Sequence, residues 1–350
     1  MRNMVAGCVS AALLLLSACS PSDTSGQLTR FQAGFIGTFD TYIQVLIYAE
    51  TRAEFGEHFD SVRDLFEHYH ALFDIFNEHE GINNLWTVNS SAGREAVAVD
   101  PAIIELLLAS RQAYADTGGA LNIALGAVLS IWHEYRSYGR LNPDEAVVPA
   151  YSALRAASLS TNIQNMIIDE QAGTVFLADP DMSLDVGAVA KSFAAGRAAD
   201  KLRERGVVSA VIDAGGDIAI IGNALASGGR PWSIGVRHPL QDGNIDTMRV
   251  TDVSAATSGD YQRAFVVGGV TYNHIIDPST LMPAVRFASV SVAHSDIMVA
   301  EILSTALFIK PFDEGLALAD RLGAAVIWVE HDGTVHFNEA YRDISANFGG

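Results

Sequence analysis

Between Phe35 and Phe76 the hydrophobic period changes once, and that change constrains the fold more than any other feature of the chain. Thr41-Tyr42-Ile43-Gln44-Val45-Leu46-Ile47-Tyr48 is rich in β-branched and aromatic residues with partial alternation, so a first strand is expected over 35–48. Phe59, Val62, Leu65, Phe66, Tyr69, Leu72 and Phe73 then recur at steps of three and four, the stripe of an amphipathic helix ending near Phe76. Such a stripe needs a sheet to pack on.

The remainder keeps alternating. A second helix is expected over 101–115, with Pro101 in its first turn and Thr117-Gly118-Gly119 as a left-handed exit, and a third over 124–135. Beyond a Pro-bounded polar stretch from Leu141 to Pro149, strand-like segments fall at 210–221, 232–237, 289–293 and 325–329. Helices are expected at 189–205, 297–309 and 313–322, and Asp332-Gly333 reads as a hairpin turn. Hairpins mixed with crossovers predict an α+β (mixed α/β) protein with largely antiparallel or mixed sheets, not a regular doubly wound one. No repeat or low-complexity tract interrupts it.

The two ends of the composition argument are charge and cysteine. Lys plus Arg number 22 against 41 Asp plus Glu, a net charge of -19, which repels nucleic acid and anionic lipid surfaces. An anionic ligand therefore needs local positive groups or a metal. Arg2, the apolar run Val5 to Leu16 and Leu16-Ser17-Ala18-Cys19 read as a secretory leader, too short to span a bilayer. Leu-Ser-Ala-Cys resembles the lipobox of bacterial lipoproteins, which implies cleavage before Cys19 and its acylation. The organisation expected is a signal peptide over 1–19, a tether over 20–33 and one domain over 34–345. Membrane contact would come only through the lipid, on the periplasmic side of the envelope, with Ser20 after Cys19 favouring the outer membrane. Cys8 and Cys19 are the only cysteines, so the mature chain carries no disulfide and no thiolate metal cluster.

Five segments have residue types suited to chemistry. Asp185-Val186-Gly187-Ala188-Val189-Ala190-Lys191 turns an extended segment into a helix, presenting free backbone amides beside a lysine, although a glycine there also simply turns the chain. Asp213-Ala214-Gly215-Gly216-Asp217 interrupts an apolar run with paired glycines, either a bulge near a ligand or a tight bend. Ala256-Thr257-Ser258-Gly259-Asp260-Tyr261 reads as a loop of small hydroxyls, and His274 before Asp277-Pro278 is an imidazole at a turn. Glu301 and Thr305 lie four apart on one helix face, either two oxygens for one hard cation or an internal hydrogen bond.

In their order and spacing, from about Phe35 to near the C-terminus, these segments resemble the ApbE family, the FAD:protein FMN transferases. Gly37-Thr38, Thr117-Gly118-Gly119-Ala120, Trp132 and the Ala300 to Leu307 helix add to the match. The resemblance implies an α+β fold with FAD in a cleft between converging loops and its diphosphate held by Mg2+. By position, Ile36, Phe76, Ala120, Leu121, Asn122, Asp185, Ala188, Lys191 and Ile276 would contact FAD. The Ala188 carbonyl with Glu301 and Thr305 would hold the metal, and His274 or, alternatively, Asp260 would take the acceptor's hydroxyl proton. The implied reaction moves FMN onto a Ser or Thr of an exported redox-complex subunit, in a segment resembling Asp-Gly-x-Ser/Thr-Gly-Ala-Thr, and releases AMP. Hydrolysis of FAD to FMN and AMP, and FAD binding without catalysis, are the competing expectations. The family usually carries Met at Ile36, Asp at Asn122, Gly at Ser192, Gly at Leu281 and Asp at Glu301.

Overall fold

The computed structural model describes residues 28–261 and 263–349. The leader, most of the tether and Cys19 lie outside the described residues.

Eight strands lie side by side in chain order, each antiparallel to its neighbours: β1 Thr29–Thr38, β2 Thr41–Ala49, β3 Ala210–Ala214, β4 Ile218–Ile221, β5 Ser254–Gly259, β6 Ser289–His294, β7 Ala325–Val329 and β8 Val335–Phe337. Three helices cover one face: α1 Arg52–Phe73, α4 Ala190–Glu204 and α5 Ile297–Ile309. Against the other face pack the ribbon Trp232–Arg237/Asn244–Val250 and the C-terminal helix Glu339–Ile344, around Tyr48, Trp232, Met248 and Tyr341. The long excursion between β2 and β3 holds α2 Pro101–Asp116, α3 Gly126–Leu141 and a three-stranded sheet, with a core of its own. Helix α6, Phe312–Arg321, joins α5 to β7.

The expected first strand is two strands. Phe39 and Asp40 both take φ of 51° and reverse the chain between Thr38 and Thr41, a conformation that their identities do not advertise. β1 accordingly starts at Thr29. α1 stops at Phe73 because Asp74 turns extended, and its carboxylate accepts from the amides of Phe76 and Asn77. The expected strand 210–221 is likewise a hairpin. Ala214 N donates to Asp217 O across Gly215 (φ 71°) and Gly216 (φ 105°), positive values that suit the tight turn between two twisted strands. Asp213 Oδ1 accepts from Gly216 N and braces the turn.

The segment 256–261, expected as a loop, is mostly β5, flanked by β4 and β6. Its small residues leave room for α5, whose Ser304 hydroxyl bonds Ser258 at 2.9 Å. Antiparallel order then brings the β1–β2 turn, the β3–β4 turn, the end of β5, the start of β6 and the end of β7 to one end of the sheet.

Leu281 holds φ of 62°, and its carbonyl accepts from Trp132 Nε1 at 2.9 Å. The backbone there has the conformation that glycine takes without cost, while the leucine side chain is buried with Trp132, Phe265 and Ile276. Leu281→Gly is expected to lower stability by about 1–3 kcal/mol, the lost packing outweighing relief of the left-handed backbone. Equilibrium urea unfolding checks this, and a gain in stability would make backbone strain the larger effect.

Candidate functional site

Lys191 stands in the first turn of α4, at the end of the sheet where the turns gather. Its Nζ lies 3.1 Å from Asp217 Oδ2 and 3.9 Å from Glu301 Oε1. All three side chains are largely buried. Burial works against the ammonium, but the two carboxylates more than offset it and hold Lys191 above the ordinary amine range. Burial first, and then the Asp217 carboxylate, push Glu301 well above the usual carboxylate range. Glu301 Oε2 accepts from Ser304 at 3.3 Å, so the hydrogen bond on this helix is to Ser304. Between Ala300 and Ile309, Thr305 alone is not fully buried.

A second group of charges faces the first. Asp185 precedes α4, accepts from Gly187 N at 2.8 Å, and is raised by burial against the opposing pull of His133 and Arg136. His133 and Arg136 are one turn apart on α3 and in contact at 3.0 Å. Burial and then the Arg136 charge lower His133. The exposed Phe76 ring lies 5.3 Å from the His133 ring. Arg263, beside Asp40 of the β1–β2 turn, acts electrostatically on Lys191, His133 and Arg136 alike. The cations Lys191, Arg136 and Arg263, from three separate segments, therefore gather at one place on a chain of net charge -19, the local positive field an anionic ligand requires.

The remaining expected residues divide. Ala188 sits in the turn before α4, and among the described residues no backbone amide donates to its carbonyl. Asn122 is spent on structure: Oδ1 accepts from Ala124 N and Nδ2 donates to Thr161 O. Beside it Ala120 is half-buried and Leu121 buried, the latter's amide donating to Thr117 Oγ1. Ile276 is buried in the Trp132 cluster, while Ile36 is exposed on β1 at the irregularity before Thr38. Ser192 is buried with its hydroxyl bonded to Val189 O. His274 is half-buried and follows Asn273, whose buried amide pins this loop to Ala284 O and Ile275 N. Asp260, raised by burial, meets His331 Nδ1 at 3.4 Å.

Among the described residues no three His, Cys, Asp or Glu side chains form a metal cluster. A cation at Glu301 would draw on the open Ala188 carbonyl, the Thr305 hydroxyl and ligand oxygens. That all-oxygen set fits a hard divalent ion that keeps few protein ligands. His133, Arg136 and Arg263 were not singled out by the sequence, and Asp217 appeared there only as the carboxylate closing the paired-glycine segment. A His and an Arg three apart on a helix look like an ordinary solvated face.

The ApbE family model matches residues 39–328. The FAD:protein FMN transferase of Klebsiella pneumoniae (strain 342) is 31% identical over 247 residues, covering 70% of this chain and 73% of that one. The FAD:protein FMN transferase of Treponema pallidum (strain Nichols) is 34% identical over 250 residues, 67% of each. The crystal structure of the ApbE protein of Thermotoga maritima superposes with a TM-score of 0.80 at 27% identity, covering 90% of this chain and 99% of that chain.

Proposed function

This chain belongs to the ApbE family, and from that premise we propose that it transfers FMN from FAD to a hydroxyl of an acceptor protein. The observation that carries the reading is the cluster of cations Lys191, Arg136 and Arg263 beside the His133 and exposed Phe76 rings. A diphosphate beside an isoalloxazine ring asks for that combination: positive charge for the one, an aromatic face for the other.

In this reading Lys191 and Arg136 bind the diphosphate, Phe76 borders the flavin, and Ile276 supports the wall from within the core. The acceptor's Ser or Thr hydroxyl attacks the flavin-side phosphorus, the new O–P bond forms as the diphosphate bridge breaks, and AMP leaves. His274 accepts the hydroxyl proton; Asp260 is the alternative acceptor. Much of the rate comes from alignment and charge neutralisation rather than covalent catalysis by the enzyme. Ala188, Glu301 and Thr305 hold magnesium, which when bound neutralises charge on the diphosphate.

The acceptor is an exported subunit of a redox complex carrying the Asp-Gly-x-Ser/Thr-Gly-Ala-Thr segment. The mature enzyme is held at the periplasmic side of the envelope by acyl groups on Cys19, the leader and its Leu-Ser-Ala-Cys ending being the support.

Incubating the mature chain with FAD, magnesium and such an acceptor, and following acceptor mass together with AMP, tests the function. A gain of one FMN per acceptor with AMP released is the expected result. FMN and AMP with an unmodified acceptor would mean a hydrolase, and intact retained FAD a binding protein.

The raised Glu301 also sets a pH dependence. A carboxyl raised on folding contributes stability below its unfolded value, and that contribution is lost as pH rises through the folded value. Magnesium binds only the carboxylate, so its affinity moves the other way. The magnesium-induced rise in Tm is expected to grow from mildly acidic to mildly alkaline buffer. Thermal melts at several pH values with and without the ion check this, and a pH-independent rise would remove Glu301 from the metal site.

A further inference from the structure

We propose that Asp217 is a positioning residue for FAD binding: its buried carboxylate fixes the Lys191 ammonium so that it faces the ligand's diphosphate. This inference rests on the FAD reading above, which gives Lys191 its ligand.

Asp217 is 4% exposed, and its Oδ2 lies 3.1 Å from Lys191 Nζ. The pair meets as an ion pair whose angle falls short of a hydrogen bond, leaving that buried oxygen without an aligned donor. Buried oxygens of this kind are uncommon, because desolvating a carboxylate costs more than an imperfect contact returns. The turn does not explain the residue. Bracing of the β3–β4 hairpin falls to Asp213, whose Oδ1 accepts from Gly216 N, and to the backbone bond from Ala214 N to Asp217 O. The Asp217 side chain is thus spare to the hairpin; it meets Lys191 at ion-pair distance and also stands against the Glu301 carboxyl.

Lys191 needs such a partner. A lysine ends in a compact charge on a flexible four-carbon stem, so direction must come from its surroundings. Its other carboxylate, Glu301, is farther away at 3.9 Å, is tied to Ser304, and in the proposed function is engaged by the cation. With Glu301 so engaged, Asp217 is the carboxylate left to hold the ammonium. The paired glycines place it there. Gly215 packs directly on Thr41 of the β1–β2 turn, where a Cβ would strike the hydroxyl, and the turn delivers Asp217 next to the first turn of α4.

The test is a double-mutant cycle read by FAD affinity, titrating FAD into the mature chain with saturating magnesium. Asp217→Asn is expected to weaken binding roughly ten- to hundredfold, the range for losing a bond to a charged group, with Tm not lowered. Lys191→Met should weaken it at least as much, and the double variant should bind no worse than Lys191→Met alone. Additive losses in the double variant would overturn the proposal, since Asp217 would then act on ligand or cation directly. So would a lowered Tm with FAD affinity intact in Asp217→Asn, the mark of a merely structural residue. Should Asp217→Asn fail to fold, Asp217→Ser carries the same comparison. Unchanged affinity in Lys191→Met would sink the FAD reading of Lys191 and the inference with it. Weak binding by Lys191→Met beside intact binding by Asp217→Asn overturns the inference alone.

Discussion

His274→Ala is expected to slow FMN transfer by roughly 10²–10⁴-fold, the range for removing a positioned general base, while FAD affinity changes little. The loop of His274 is tied down by the Asn273 amide, buried and bonded on both sides. Fixed position is what a proton acceptor needs, because the hydroxyl must be met within hydrogen-bond reach. Asp260, the alternative, meets His331, whose Nε2 is within 3.2 Å of Val285 O. Single-turnover transfer to an acceptor hydroxyl, with FAD binding measured in parallel, separates the two residues. A small loss in His274→Ala beside a large one in Asp260→Ala would hand the role to the carboxylate.

What the sequence made legible follows from how strongly each segment's pattern was local. The helix expected over 297–309 and the strands expected over 232–237 and 325–329 occupy those residues, the helix and 325–329 as runs of buried apolar side chains and 232–237 by alternation of Trp232, Ile234 and Val236 with exposed residues. β5 was illegible for the opposite reason. Ala255-Ala256-Thr257-Ser258-Gly259 has small residues of weak strand preference, and becomes a strand because β4 and β6 flank it and α5 packs tightly over it. The β1–β2 turn was missed since Phe39 and Asp40 carry positive φ where glycine or asparagine would announce it. At the site, the resemblance pointed to Lys191 and Glu301, and the structure sets them within 3.9 Å of each other. Their partner Asp217 was visible only as a carboxylate beside a glycine pair, and the cations Arg136 and Arg263 as ordinary surface charges. Convergence of residues from distant segments is a product of topology, and here the antiparallel order of the sheet supplies it.

Stability and activity pull in opposite directions at Glu301, and three substitutions should expose the conflict. Glu301→Ala is expected to reduce transfer by roughly 10²–10³-fold, as for loss of one preorganised electrostatic group, and leaves a buried gap against Lys191 and Ser304. Glu301→Gln should lose comparable activity, since a neutral amide holds a hard cation poorly, yet raise the Tm of the metal-free protein. The reason is the sign of the raised pKa: the folded chain favours the uncharged carboxyl, and glutamine supplies an uncharged group of the same shape. Glu301→Asp, which installs the residue usual in the family, should keep most activity by moving the carboxylate back one methylene. Transfer rates and metal-free melting of the three variants decide it. A Glu301→Gln protein that melts lower than the parent would show that the charge stabilises the fold. Substantial transfer by Glu301→Ala would take the metal site away from this helix.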